Sequence, residues 1–166
     1  CKIYYIIILI GRLFMNISSL VESQLEKNKQ ILINHELPEY KLWVRKHLEL
    51  HVKLGSIAEE TKCYTYLENS SSSLNKDIIF KKYIDFLAHI ISLGLYREYI
   101  TDYEVQLKPN DYCLSDQFLN LYIDINDLIV STSSDHFLTL LEDTLSLGVT
   151  LGYSEEDVKN SFIYRD

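Results

Sequence analysis

Asp85 and His89 lie four residues apart, so a helix carrying them presents both on one face. A carboxylate and an imidazole at that spacing, with Glu60 brought opposite, make a donor set suited to zinc or manganese. The plainer alternative is a histidine packed in the core or bonded to a neighbour, and then the group is structural. Glu49, Lys53, Ser56 and Glu60 also share one helix face, so a second segment carries acidic charge interrupted by a lysine.

Helices must position these groups. Two prolines and five glycines in 166 residues, and almost no alternation bounded by turn pairs, favour an all-α fold. The pattern predicts a first helix near Ser18–Asn34, with Leu20, Val21, Gln24, Ile31 and Leu32 in register and Ser18 or Ser19 as its cap. His35-Glu36-Leu37-Pro38 breaks it. A second helix is expected over 39–64, with Leu42, Val44, His47, Leu48, Val52, Leu54 and Ile57 marking a buried element. A polar linker, Asn69 to Ser73, leads to a third helix over 76–97. Residues 98–115 are mixed, with a turn at Pro109-Asn110-Asp111. Ser115-Asp116-Gln117 opens a fourth helix to about Thr132. Ser133-Ser134-Asp135 caps a fifth, ending near Gly148 or Leu151. Tyr153-Ser154-Glu155-Glu156-Asp157 is an N-cap phrase with acids in the first turn, and starts a sixth. The expected fold is a bundle of five to six helices, with 39–64 and 76–97 at its centre.

Bulk properties narrow the function. A net charge of −8 and a pI near 5.1 leave no electrostatic footprint for nucleic acid or an anionic membrane. Three cysteines, Cys1, Cys63 and Cys113, lack metal-ligand spacing and are read as core thiols of a reducing, cytoplasmic setting. The apolar run Ile3 to Ile10 is too short to span a bilayer, which needs about 20 residues. Residues 1–15 are read as an extension and 16–166 as one helical domain.

Two segments carry a resemblance. Val52-Lys53-Leu54-Gly55-Ser56-Ile57-Ala58-Glu59-Glu60-Thr61 is similar to V-E-L-G-E-L-A-N-E-T. Lys82-Tyr83-Ile84-Asp85-Phe86-Leu87-Ala88-His89, followed by Ser92-Leu93-Gly94-Leu95, is similar to E-Y-V-D-x-L-H-F and S-x-G-L. These phrases belong to the dimeric all-α dUTP pyrophosphatases, of the all-α NTP pyrophosphatase superfamily. A third stretch, Gly148-Val149-Thr150-Leu151-Gly152-Tyr153-Ser154-Glu155-Glu156-Asp157-Val158, resembles that family's late G-x-x-L-G-[FY]-[ST]-x-E-E-[IV] phrase. The order and spacing of all three agree.

The resemblance implies magnesium-dependent hydrolysis of dUTP to dUMP and pyrophosphate by a homodimer. In the family, carboxylates at i and i+3 on two facing helices hold Mg2+ against the triphosphate. Here the four matching positions are Lys53, Ser56, Lys82 and Asp85, and only Asp85 is acidic. The implied metal site is therefore degenerate. Asp85 is left as a catalytic and metal ligand, with Glu60, Glu49 and His89 as weak helpers. Two lysines without a metal also favour a bound phosphate. The resemblance further gives Gln24 and Asn28 to the base, and makes Arg165 the nearest phosphate cation where the family has Lys-Asn. Two other readings stand beside impaired catalysis: an active pyrophosphatase with rearranged ligands, and a non-enzymatic helical dimer that binds nucleotide or a protein partner. Thirteen tyrosines are a supply of interface anchors for the latter.

Overall fold

Short polar side chains begin three of the helices. Asn75 accepts from the Ile78 amide, Ser133 from the His136 amide and Ser154 from the Asp157 amide, each satisfying a donor that a helix start leaves open. Ser154 and Asp157 close a reciprocal capping box. The computed structural model describes residues 13–67, 73–108 and 110–165. Their order is β1 (Leu13–Asn16), α1 (Ser18–Asn28), α2 (Glu39–Thr61), α3 (Lys76–Tyr96), β2 (Glu104–Leu107), α4 (Leu114–Val130), α5 (Ser134–Thr150) and α6 (Glu155–Ile163). The run Ile3 to Ile10, most of the serine linker and Pro109 lie outside the described residues.

The six helices bear out the all-α bundle. α3 is its axis: Ile79, Tyr83, Ile84, Phe86, Leu87, Ala88, Ile90, Ile91, Leu93 and Gly94 are all buried, on more than one face. It packs against α1, α2, α5 and α6, while α4 bridges α2 and α5. Such a helix reads as apolar nearly all round because neighbours cover it nearly all round. The approach of α5 is close. A Cβ on Gly94 would fall 2.2 Å from the Phe137 ring, so only glycine admits that ring. After α5, Gly152 takes φ +88°, which lets the Tyr153 amide bond back to the Gly148 carbonyl at 3.0 Å and turns the chain into the Ser154 cap.

Several expectations need correction. α1 ends at Asn28, not Asn34, and Ile31 and Leu32 are exposed. No neighbour covers that extra stretch, and a short helix gains most of its stability from packing. Its start is served by Asn16, whose Oδ1 accepts from the Ser18 amide and hydroxyl, rather than by Ser18 itself. α2 ends at Thr61, where Lys62 adopts φ 53°. The helix is also not buried all round: His47, Leu50, Leu54 and Ile57 face inward, whereas Val44, Leu48 and Val52 are exposed. Cys113 is exposed rather than core.

A two-stranded antiparallel sheet was not expected. β1 pairs with β2, with Leu13 opposite Leu107 and Asn16 opposite Glu104. Met15 and Val105 point into the core from it. β1 begins inside the segment read as an extension, and β2 inside the stretch read as mixed.

Candidate functional site

α2 and α3 face each other along a polar seam. Glu49 meets His89, Lys53 meets Asp85 and Glu60 meets Lys82, so numbers rise along α2 as they fall along α3. The two helices are therefore antiparallel. The i, i+4 spacing of Glu49 and Lys53 and the i, i+3 and i+4 spacings of Lys82, Asp85 and His89 bring these side chains onto facing surfaces. In that register Ser56 stands opposite Lys82, yet Lys82 reaches one turn further, to Glu60.

Lys53 Nζ lies 2.6 Å from Asp85 Oδ2 and 3.8 Å from Glu49 Oε1. His89 Nε2 lies 2.9 Å from Glu49 Oε1, and its Nδ1 lies 2.8 Å from the Asp85 carbonyl and 3.5 Å from Asp85 Oδ1. Lys82 Nζ lies 2.6 Å from Glu60 Oε1. Three carboxylates are thus met by two ammoniums and an imidazole. Glu49 and Asp85 are about half exposed and the lysines less so, so each pair contributes no more than about 1 kcal/mol to stability. The expected Asp85–His89–Glu60 grouping is changed in one member: Glu49 joins Asp85 and His89, and Glu60 is engaged by Lys82.

As arranged, this donor set does not fit magnesium. Mg2+ takes near-octahedral oxygen ligands with several waters. One ammonium, that of Lys53, lies against both Asp85 and Glu49, and a second holds Glu60. Among the described residues, no three histidine, cysteine or acidic side chains are placed to hold a metal ion. An ammonium is by its chemistry a donor to anions such as phosphate, and here both are engaged by carboxylates.

A second polar group lies beside the seam, where α1, α3 and the end of the chain meet. Gln24, buried on α1, donates from Nε2 to Asn28 Oδ1 at 2.7 Å. Ser92 on α3 donates its hydroxyl to the same oxygen at 3.0 Å. Arg165 donates to Gln24 Oε1, and its guanidinium stacks 3.7 Å from the Phe162 ring centroid. Lys27 holds the Arg165 carbonyl. Burial presses the Arg165 guanidinium below its usual range, while nearby Asp85 pulls it back up. Gln24, Asn28 and Arg165, read separately in sequence, are therefore one hydrogen-bonded cluster. Ser92 and Phe162 were missed: nothing in their spacing signals a contact with helices so distant in sequence.

Among the described residues the protein is of the all-α class: a small bundle of six helices, crossed by an antiparallel seam of charged residues with an amide cluster at its side. The model of the dUTPase family matches residues 16–166, and the chain belongs to that family. No curated protein and no solved structure matches it. Among the described residues, no helix is long and apolar enough to cross a membrane.

Proposed function

We propose that this chain is a catalytically impaired dUTPase-family protein that keeps the polar seam and amide cluster as a nucleotide-binding surface. One observation carries the reading: Lys53 lies between Asp85 and Glu49, in the place where metal-dependent chemistry needs unpaired carboxylates. Without them no divalent ion is gathered against the triphosphate, and no water is activated there. Asp85 is then an ion-pair partner, not a working ligand. Lys53 and Lys82 serve phosphate oxygens, and Gln24 and Asn28 face the base.

Pyrophosphate release from dUTP, with magnesium and then with manganese, tests this. The parent chain should show no turnover near the ordinary 1–1000 per second, whereas a Lys53→Glu, Ser56→Glu, Lys82→Glu variant should gain activity with magnesium. Ordinary turnover by the parent sinks the reading. It would favour a rearranged centre of Glu49, Asp85 and His89, in which the imidazole already meets both carboxylates.

The partner is proposed to be a second copy of the chain. Tyr40, Val44, Leu48 and Val52 form an exposed stripe along α2, and Leu119, Ile123 and Val130 another along α4. Tyr122 and Asn126 both touch His51, which sets the two stripes side by side. The basic residues Lys41 and Arg45 flank the first stripe, and the acidic Asp116 and Asp127 flank the second. A two-fold pairing that lays α2 of one copy on α4 of the other satisfies both charge and apolar surface. Sedimentation should give a dimer that Leu48→Glu converts to a folded monomer; a monomeric parent would refute this.

A further inference from the structure

The amide cluster has a direction, and Arg165 sets it. A guanidinium has donors only, so the end of Gln24 that faces Arg165 must be its oxygen. Gln24 Nε2 then points to Asn28, and Asn28 answers with Oδ1, which also accepts from Ser92. Every polar group of Gln24 is thereby engaged, on a side chain only 5% exposed. Phe162 backs the guanidinium and Lys27 tethers its backbone carbonyl, so Arg165 is held from three sides.

We propose that Arg165 is a built-in occupant of the base pocket. Its flat edge of N–H donors stands where the donor edge of a nucleobase would meet Gln24, and a base is read only after Arg165 has left. This rests on the reading above that Gln24 and Asn28 face the base. It replaces the expectation that Arg165 is a phosphate contact. Departure of Arg165 does more than open space. The Ser92 hydroxyl can accept as well as donate, so without the guanidinium both amides are free to turn over together. Gln24 could then offer either its oxygen or its amino group. A uracil imide, with an N–H between two carbonyls, needs both kinds of partner. With Arg165 seated, Gln24 offers it neither.

Deoxyuridine, which has no phosphate, isolates the pocket from the lysine seam. It is titrated into the parent chain, Arg165→Ala, Arg165→Gln and Arg165→Ala/Gln24→Ala, with thermal melts to establish that each variant is folded. Arg165→Ala should bind deoxyuridine at least about tenfold more tightly than the parent, and removing Gln24 as well should abolish that gain. Arg165→Gln keeps a planar side chain that can donate and should fall between. Equal or weaker binding by Arg165→Ala, or no saturation of any variant, overturns the proposal. Inorganic triphosphate, titrated into the parent and into Lys53→Ala/Lys82→Ala, reports on the lysine seam through the difference between them. Triphosphate binding with no gain for deoxyuridine removes the occupant and leaves the seam. The reverse result removes phosphate binding at the seam and leaves the occupant.

Discussion

Lys53→Glu reverses one charge at the centre of the seam and allows a worked expectation. The change removes the 2.6 Å contact with Asp85, a half-exposed pair worth at most about 1 kcal/mol. It also places a third carboxylate between Glu49 and Asp85. Two unit charges about 4 Å apart repel by ~1 kcal/mol in water and ~4 kcal/mol at a protein-like surface dielectric. Glu49 and Asp85 are 48% and 53% exposed, so the lower figure applies to each. The combined loss is about 2–3 kcal/mol, or roughly 4–12 °C in Tm for a domain of this size. That cost should be relieved by the ion the parent has no room for. Magnesium at a hundred times its Kd returns about 2.7 kcal/mol, enough to restore the parent Tm. The assay is a thermal melt of each protein in EDTA and in magnesium. The reasoning is refuted if the variant shows no magnesium-dependent rise, or if the parent shows one as large.

Three further outcomes follow from the packing and the buried charges. Burial holds the His47 imidazole below its ordinary 6.5, so the unfolded chain takes up a proton that the folded chain refuses as pH drops through that value; stability should fall with acid there, and His47→Leu should flatten the slope in urea melts. Asp124 is pushed up to about 7 by burial and by Asp143 beside it, so the folded chain keeps a proton that the unfolded chain loses above 3.8. Stability from that pair declines as pH rises from 3.8 to about 7, and Asp124→Asn should raise the urea midpoint at pH 8 relative to the parent. Gly94→Ala sets a Cβ 2.2 Å from the buried Phe137 ring; overpacking of about 1–3 kcal/mol should outweigh the ~1 kcal/mol helix gain, and an unchanged or raised Tm would contradict the close approach of α3 and α5.

Much of the bundle was legible because helical period and capping residues act locally. Ser133 and Ser154 could be read as caps from a few residues of sequence, and α3 from its long, mostly apolar run between the polar linker and Arg97. What resisted reading depends on neighbours. Ile31 and Leu32 look like a continuation of α1, but nothing packs on them. Val44, Leu48 and Val52 have the same apolar character as Leu50 and Leu54, and only the placement of α3 and α4 decides which set is covered. The three substituted positions, Lys53, Ser56 and Lys82, were visible in sequence, but the choice of Glu49 over Glu60 as the partner of His89 was not. It follows from the register of two antiparallel helices, with Lys82 drawing Glu60 aside.

The small sheet has a consequence for the order of events in folding. Asn16 and Glu104 are 88 positions apart, and the Ile17 amide reaches the Tyr103 carbonyl at 2.9 Å across the same junction. Closing so long a loop before the intervening helices have docked gains too little to offset its entropy. β1 and β2 therefore join late, onto a nucleus of local α2–α3 contacts, and part early. Amides of Met15 and Val105, though shielded from solvent in the finished molecule, should exchange with deuterium ahead of those of Phe86 and Leu87. The two strands act as a clasp drawn shut over helices that have already found one another.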